Sequence, residues 1–216
     1  MKLKTAVLHC LIPLLALFVL GIARADNAPL DAWLKRQVSI TTLDAGFTQE
    51  RRLPALKNPT VTPGHLSFSK PDKVRWQLGE PIESLAVSDG ITLTLIDTAT
   101  KTARQTGVDS PQAARFSLLS GRAFQSPESF HQAFEIIDSR VTTGIYQYTL
   151  KSKDRRVRAQ IPWIFIDLDP QKNELRALEM ELQDKSRLRT VFQNPRFNQK
   201  LDDALFKPDL TGYAVK

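Results

Sequence analysis

The sequence has few of the residues that most often carry out chemistry. Its 216 residues include one cysteine and three histidines. A single cysteine cannot form an internal disulfide bond and is too few for a thiolate metal site. The chain also lacks a nucleophile elbow, a glycine-rich phosphate-binding loop and a zinc-protease helix motif. These absences weigh against the common enzyme classes, although they leave a hydrolase possible.

Long apolar stretches are also absent, except near the N-terminus. Two lysines precede an apolar run over residues 7–20, and a small-x-small sequence ends at Ala25. This pattern predicts a secretory signal peptide, because the run is shorter than the roughly 20 apolar residues that span a membrane. We therefore expect residues 1–25, which include Cys10, to be removed. Residues 26–216 would remain as a single exported domain.

The excess of positive charge is small. The chain carries 30 lysine and arginine residues against 23 acidic residues, and loss of residues 1–25 would lower the formal excess from +7 to about +4. Because the cations are spread along the chain, we expect no nucleic-acid partner. The exception is the basic stretch 151–158. It predicts either a solvated strand end or loop, or a docking surface for an acidic partner.

The rest of the chain is organised around residues 64–78. Apolar and polar residues alternate there on either side of Pro71, which predicts two strands joined by a proline turn. One face of this hairpin would carry the apolar side chains Leu66, Phe68, Val74, Trp76 and Leu78. Arg75 would point to the other side. Lys70 falls on the apolar side, so a cation would end the apolar face.

Three short helices are predicted. Residues 29–40 place four apolar side chains at helical spacing, namely Leu30, Trp33, Leu34 and Val38. Ser110-Pro111 and Ser126-Pro127 each combine a capping serine with a proline at the first helical position. The first of these two segments would present Phe116, Leu118 and Leu119. Because it is too short to be stable alone in water, it must lie on an apolar surface.

Strands are predicted for most of the remainder. Asp89-Gly90 is typical of a hairpin turn. The strand after it would place three apolar residues on one face, namely Ile91, Leu93 and Leu95. We predict loops over residues 53–63 and 98–109, and an end of the last long strand at Asn194-Pro195. About ten strands without strand–helix alternation predict a mainly β (α+β) fold, an antiparallel meander with helices on one face.

Several short motifs occur along the chain in an order that can be compared with that of a known protein family. They are Phe47-Thr48-Gln49, Gly64-x-Leu66, Lys70-Pro71-x-x-x-x-Trp76, Val87-Ser88-Asp89-Gly90, Phe134-x-Ile136 and Leu201-Asp202-x-x-Leu205-Phe206. Together they resemble the outer-membrane lipoprotein carrier (LolA) family over nearly all of residues 26–216. The resemblance implies a strongly curved antiparallel sheet, an incomplete β-barrel with a lid of short helices over an apolar cavity.

The resemblance also implies a function. The chain would be a monomeric carrier in the periplasm, without cofactor, metal or catalysis. It would bind the acyl chains of lipoproteins and pass them from an inner-membrane lipoprotein-releasing ABC transporter to an outer-membrane lipoprotein receptor. The apolar faces predicted above would then bind the lipid through Phe47, Leu66, Phe68, Val74, Trp76, Leu78, Leu93, Leu95, Phe116, Leu118 and Leu119.

Lys70 stands where the family usually has an arginine that holds the lid through hydrogen bonds. Lysine lacks the planar donor fork of arginine. Lys70 is therefore predicted to be either a latch for the lid or a side chain that extends to solvent at the strand end.

Two alternatives for the function stay open. The chain could carry another envelope lipid or a glycolipid. From a different class, it could be a secreted hydrolase that uses Asp167, Asp169 or His131. We expect His65 and His131 to be surface residues rather than ligands of a shared metal.

Overall fold

The computed structural model describes residues 27–110, 113, 116 and 122–216, and in these residues twelve strands form one sheet. The strands are β1 (Thr42–Arg52), β2 (Thr60–Ser69), β3 (Lys73–Leu78), β4 (Ser84–Ser88), β5 (Thr92–Asp97), β6 (Thr102–Gly107), β7 (Phe134–Thr142), β8 (Ile145–Ser152), β9 (Trp163–Asp169), β10 (Glu174–Glu181), β11 (Arg187–Phe197) and β12 (Ala214–Val215). The sheet is curved and open, which confirms the predicted fold class.

The strand order shows two meanders joined along one seam. It runs β12-β6-β5-β4-β3-β2-β1-β11-β10-β9-β8-β7. All neighbours are antiparallel except β12, which pairs with β6 in parallel. The meander β1–β6 meets the meander β11–β7 where β1 pairs with β11, for example Leu43 with Phe197. Because β6 and β7 lie near opposite edges of the sheet, residues 108–133 must connect one edge to the other.

Helix α1 (Ala28–Ser39) precedes the sheet, helix α2 (Pro127–Ala133) precedes β7, and helix α3 (Arg155–Gln160) follows β8. Short 3₁₀ turns occupy Arg122–Phe124 and Asp203–Phe206. Ser126 caps α2 as predicted, since its hydroxyl accepts a hydrogen bond of 3.1 Å from the amide of Ser129. In α1 the apolar face is shorter than predicted, because Val38 is 58% exposed.

The two faces of the sheet have different partners. The face that carries α1 and α2, here called the inner face, packs Leu30 and Leu34 of α1 against buried residues of β8 and β9 such as Leu150, Ile164 and Ile166. The β2–β3 hairpin continues this face with Leu66 opposite Trp76 and Phe68 opposite Val74, as the alternation predicted. The helices therefore cover one apolar surface that both meanders share.

The opposite, outer face is covered by the C-terminal segment over β3 to β6. Leu85, Val87, Ile96 and Ala103 pack there against Phe206, which is buried. Residues 201–213 contribute further partly buried apolar side chains, and β12 then ends the segment beside β6. The chain thus buries apolar side chains on both faces of its N-terminal meander.

Strand β6 was missed, and the start of β2 was predicted too late, because these sequences are polar or interrupted. Residues 102–107 were predicted to be loop but form β6, the last long strand on its side of the sheet, with one buried side chain, Ala103. Its backbone pairs with β5 and β12, so the strand needs little apolar content. The predicted loop over residues 53–63 is also too long, because β2 begins at Thr60.

The prediction that Asn194-Pro195 ends a strand was wrong, since β11 continues to Phe197. The register between β1 and β11 shifts between Asp44 and Gly46, opposite these residues, and Asn194 has a positive φ of 48°. A bulge places a proline in a strand without breaking the ladder on either side.

Residues 151–158 form the end of β8 and helix α3, not a loop. Asp154 caps that helix, because its carboxylate accepts a hydrogen bond of 2.7 Å from the amide of Arg156. In the Asp89-Gly90 hairpin the turn was predicted correctly, but Ile91 lies outside the core at 78% exposure.

Candidate functional site

An aromatic cluster on β1, β3 and β11 forms the floor of the inner face. The rings of Phe47 and Trp76 are 4.3 Å apart, and Phe192 meets both rings edge-on at 6.4 Å. Phe47 lies directly across from Gly64 in the β1–β2 register. A glycine is required there, because a Cβ on residue 64 would come within 2.2 Å of the Phe47 ring. The cluster gives the inner face an aromatic base.

A cavity of about 120 Å³ lies between this base and the C-terminal half of α1. Its apolar lining consists of Trp33, Ile40, Leu43, Ala45, Leu66, Phe68, Trp76, Phe124, Leu175, Leu178, Phe192, Pro195 and Phe197. Four polar side chains join them, namely Gln37, Lys70, Gln125 and Glu174. A site that is mostly apolar with a few polar groups is typical of a small-molecule or lipid pocket.

The residues predicted to bind lipid fall into four groups. Leu66, Phe68 and Trp76 line the cavity. Phe47, Val74, Leu78, Leu93 and Phe116 belong to the cluster packed on the same face. Leu95 is opposite Ala86, on the same side as Trp76, but it is 36% exposed. Leu118 and Leu119 lie outside the described residues, as does most of the helix predicted to begin at Ser110-Pro111.

Several cavity residues were missed by sequence reasoning. Trp33 lies in α1, and Ile40 is the C-cap residue of that helix. Leu175 and Leu178 lie in β10, and Phe192 and Phe197 lie in β11. The helical spacing of Trp33 indicated only that it faces something apolar. Only the pairing of β1 with β11 shows that these residues face the same cavity as the β2–β3 hairpin.

Lys70 fastens the end of α1. Its ammonium donates hydrogen bonds to the carbonyl oxygens of Gln37 at 2.9 Å and Val38 at 2.8 Å. These carbonyls are in the last turn, where the regular helical hydrogen bonds end and where a cation complements the helix dipole. The carbonyl of Gln37 also accepts a bond of 3.3 Å from the amide of Ile40, the C-cap residue. Burial lowers the pKa of Lys70. The side chain therefore ties the end of α1 to the turn after β2. Much of the segment predicted to be the lid, including residues 117–121, lies outside the described residues.

The two residues after Lys70 contact the 3₁₀ turn Arg122–Phe124 and its neighbour Gln125. We call α1 and this turn the cover, because both contribute side chains to the cavity lining. The carbonyl of Pro71 accepts a hydrogen bond of 2.9 Å from Gln125. The carboxylate of Asp72 accepts one of 2.9 Å from Nε of Arg122, whose guanidinium also lies 3.5 Å from Asp109. One turn between β2 and β3 thus contacts both α1 and the 3₁₀ turn Arg122–Phe124.

A second cation fixes the other side of α1. Arg36 donates to the carbonyl oxygens of Lys172 at 3.1 Å and Asn173 at 2.7 Å, in the turn between β9 and β10. It also lies 3.7 Å from the carboxylate of Glu174 and over the ring of Phe197 at 4.5 Å. The end of α1 is therefore held to both meanders, across the seam between β1 and β11.

The sequence profile described as "Outer membrane lipoprotein carrier protein LolA" matches residues 38–209. The chain belongs to the LolA family. This match covers every strand except β12 and all of the cavity lining except Trp33 and Gln37. A search of the curated proteins finds no match.

Solved structures similar to this LolA-family chain are distant in sequence. An uncharacterised conserved protein from Thermus thermophilus is 9% identical, with a TM-score of 0.50 over 87% of this chain and 96% of that one. The LolA superfamily protein NE2245 from Nitrosomonas europaea is 8% identical, with a TM-score of 0.44 over 82% and 97%. A putative outer membrane lipoprotein-sorting protein domain from Vibrio parahaemolyticus is 11% identical, with a TM-score of 0.44 over 77% and 89%.

The outer face of this LolA-family chain carries a compact polar group beside the seam. Asp44 is buried and accepts hydrogen bonds from His65 at 2.6 Å, from Ser67 at 3.1 Å and from Arg196. Burial alone would raise the pKa of Asp44, but the bonds from His65 and Arg196 outweigh it and hold that pKa below its usual value. Ser67 and His65 both contact the carboxylate, so the histidine does not bridge serine and aspartate as it does in a hydrolase triad.

The residues of the hydrolase alternative are used elsewhere. Asp167 pairs with Arg189 at 2.5 Å, and Asp169 accepts bonds from the turn amides of Gln171 and Lys172. The ring of His131 lies edge-on to Phe130 at the end of α2. Among the described residues, no three histidine, cysteine or acidic side chains are close enough to hold a metal ion, and no helix there has the length and hydropathy to cross a membrane.

Proposed function

We propose that the protein is a periplasmic carrier that binds the acyl chains of lipoproteins beneath α1. It would receive them from an inner-membrane lipoprotein-releasing ABC transporter and deliver them to an outer-membrane lipoprotein receptor. The observation that carries this proposal is the apolar cavity under a helix whose end is fastened by Lys70 and Arg36. The carrier function itself is that of the family to which the chain belongs.

The size of the cavity implies that the cover moves. About 120 Å³ is less than the roughly 150 Å³ of an engineered protein cavity that accommodates one benzene molecule. A long acyl chain therefore cannot enter unless α1 or the segment containing Phe116 and Phe124 shifts away from the sheet. The first half of α1 is anchored in the core by Leu30 and Leu34. The end of α1 and the turn Arg122–Phe124 are held in addition by a few hydrogen bonds and ion pairs, which can be exchanged at modest cost.

A cover that fills the empty cavity also helps delivery. Burial contributes about 0.8 kcal/mol for each methylene, so a fully engulfed long chain would be held by roughly 10 kcal/mol or more. Displacing packed side chains such as Phe124 offsets part of this gain. The acyl chain is then bound weakly enough to leave for an acceptor.

The three tryptophans provide a direct test. Trp33 and Trp76 line the cavity, whereas Trp163 lies on the other side of the sheet with Lys151 Nζ 5.1 Å above its ring. A fatty acid brominated along its chain should quench Trp33 and Trp76 when it enters. A variant with Trp33→Phe and Trp76→Phe retains only Trp163 and serves as the matched control.

We expect strong quenching of the wild-type protein and little quenching of the control. Equal quenching of both proteins would mean that the acid binds to the surface, and no quenching of either would mean that the cavity does not take acyl chains. Transfer is tested separately, by release of a newly made lipoprotein from inner-membrane vesicles and its arrival at outer-membrane vesicles.

We propose, from the sequence of residues 1–25 alone, that the protein is exported; these residues lie outside the described residues. Removal of these residues would give a chain that begins at Asp26. Intact-mass measurement of the protein from the periplasmic fraction checks this, and a retained N-terminus would contradict it. We expect the exported protein to be monomeric and to have no catalytic activity.

A second candidate cargo is another envelope lipid or a glycolipid. The observation that favours it is the set of four polar side chains in the cavity lining, namely Gln37, Lys70, Gln125 and Glu174. These side chains could hydrogen-bond a headgroup. Mass spectrometry of lipid extracted with the purified protein distinguishes the two, because a lipoprotein cargo carries a peptide and a free lipid does not.

A further inference from the structure

Three turns lie next to one another at one end of the sheet. Lys70 and the cavity lie toward the opposite end. The three turns are the β1–β2 hairpin, the β10–β11 turn and the β8–β9 connection that contains α3. Arg52 pairs with Arg187 across β1 and β11, and Glu181 pairs with Trp163 across β10 and β9. The amide of Gln183 donates a hydrogen bond of 3.2 Å to the carbonyl of Gln160. We call this continuous edge, residues 50–61, 153–162 and 181–187, the basic rim.

The basic rim concentrates the positive charge of the protein. It holds nine cations, namely Arg51, Arg52, Lys57, Lys153, Arg155, Arg156, Arg158, Lys185 and Arg187. Its four acids are Glu50, Asp154, Glu181 and Asp184. The excess at this one edge is at least as large as the formal excess of about +4 expected for residues 26–216 as a whole. The remainder of the surface is therefore close to neutral.

Several of these cations are not used by the fold. Arg52 pairs with Glu50, and Lys185 and Arg187 pair with Glu181. By contrast, four exposed cations form no ion pair with any residue that the structure describes, namely Arg51, Lys57, Arg155 and Arg156. Unpaired cations on one edge produce a field that attracts an anionic surface.

Apolar side chains stand among these cations. At the β1–β2 hairpin Leu56 is 55% exposed and Val61 is 58% exposed. The hairpin tip is held in a turn by a hydrogen bond of 3.0 Å from the amide of Leu56 to the carbonyl of Leu53. An acidic protein surface would be matched by the cations alone. Exposed apolar residues between lysines and arginines fit the boundary between lipid headgroups and acyl chains.

We propose that the basic rim docks the protein onto bilayers that contain anionic phospholipids, with Leu56 and Val61 entering the headgroup layer. Because the cavity lies toward the other end of the sheet, docking through the rim leaves the cavity away from the bilayer. The rim would therefore keep the carrier close to a membrane surface without extracting lipid from it. Docking would not depend on whether the cavity is occupied.

The test is flotation of the protein with phosphatidylcholine vesicles, with and without an equal part of phosphatidylglycerol. The protein and its variants are taken from the periplasmic fraction, where the chain is expected to begin at Asp26, so the apolar run over residues 7–20 does not contribute. We expect binding only to the anionic vesicles, and a decrease as salt is added. The double variant Arg155→Gln/Arg156→Gln should weaken the partition coefficient by roughly five-fold for each cation removed.

The matched control is Lys172→Gln/Lys200→Gln, which removes two exposed cations from the other end of the sheet. It should leave binding nearly unchanged. An equal loss in both double variants, or no preference for anionic vesicles, would overturn the proposal.

The variant Leu56→Ser separates a bilayer from an acidic protein as the partner. We expect it to weaken vesicle binding at constant charge. Vesicle binding that depends on the arginines but is the same in Leu56→Ser would overturn the entry of Leu56 into the headgroup layer, which is what favours a bilayer over an acidic protein as the partner. The tryptophan-quenching experiment is independent of the rim, so failure of either proposal can be recognised without the other.

Discussion

The ring of Phe47 occupies the space that a side chain on Gly64 would need. A Cβ on residue 64 would lie 2.2 Å from Cε2 of Phe47 and 2.6 Å from the carbonyl oxygen of Gln77. The aromatic ring compensates for the absent side chain by covering the glycine from the neighbouring strand. The floor of the cavity therefore depends on this one pair of residues.

We predict that Gly64→Ala destabilises the protein by about 1–3 kcal/mol, the cost of overpacking a tight site. Gly46→Ala is the control on β1, where the nearest atom to a new Cβ is 3.9 Å away. Urea unfolding should show a lower midpoint for Gly64→Ala and little change for Gly46→Ala. The penalty should shrink in a Phe47→Leu background, and an equal penalty for both glycines would contradict the argument.

The second prediction concerns the hold of Lys70 on α1. Replacement by leucine removes both hydrogen bonds to the last turn, so amide exchange over residues 36–41 should become about ten-fold faster, which corresponds to roughly 1.4 kcal/mol. Lys70→Arg keeps the charge and adds donors, and it should slow exchange there.

Lys73→Leu is the matched control for Lys70. Lys73 begins β3 after the same turn, but its ammonium pairs with Asp203 at 2.7 Å on the outer face. It should leave exchange in α1 unchanged. If neither substitution at residue 70 alters exchange or acyl-chain uptake, Lys70 is an ordinary surface cation.

The third prediction concerns stability in acid. The pKa of Asp44 is lower in the folded protein than the 3.8 of an unperturbed aspartate. The unfolded chain therefore takes up the proton first, and the contribution of Asp44 is present above pH 3.8 and lost as the pH falls below it. Asp44→Asn should cost about 2 kcal/mol at neutral pH, because charged hydrogen bonds are lost.

The measurement is the urea midpoint as a function of pH. The difference between wild-type protein and Asp44→Asn should narrow as the pH falls below 3.8. Asp138→Asn is the control, since Asp138 is exposed on β7 and forms no ion pair with any cation that the structure describes. A constant difference at all pH values would mean that Asp44 acts through packing and not through its charge.

The fourth prediction concerns the C-terminal segment. Phe206 is buried on the outer face against Leu85 and Val87. Phe206→Ala should destabilise the protein by about 3–5 kcal/mol, the usual cost of removing a buried aromatic ring. Leu205→Ala is the matched control, because Leu205 is only partly buried. Similar losses in thermal stability for both would show that the segment is not anchored by the ring.

Local signals explain what could be predicted from the sequence. The β2–β3 hairpin was predicted correctly because alternation and a proline turn specify it within residues 64–78. Strand β6 was not, because a strand with one buried side chain leaves no periodic pattern. Helix starts were predicted correctly where one side chain bonds the backbone a few residues further on, as Ser126 does at the start of α2.

The candidate site was only half predictable for a different reason. The parity of Leu66 and Trp76 shows that they share a face, and that can be read from one hairpin. Phe192 and Phe197 reach the same cavity through the β1–β11 seam, which no local pattern specifies. Likewise, the position of Lys70 at the end of the apolar face was predicted, whereas its acceptors in α1 depend on how that helix crosses the sheet.

The strand order also has a consequence for how the chain folds. Within each meander every strand pairs with its sequence neighbour, so both can form through short loop closures. The β1–β11 ladder joins residues from opposite ends of the domain, as Leu43 with Phe197, and its loop is the most costly in entropy to close. Until it closes, β1 and β11 are unprotected edges that carry Phe47 and Phe192. The interval between emergence of the chain and closure of this ladder is therefore the period in which it is most prone to aggregate.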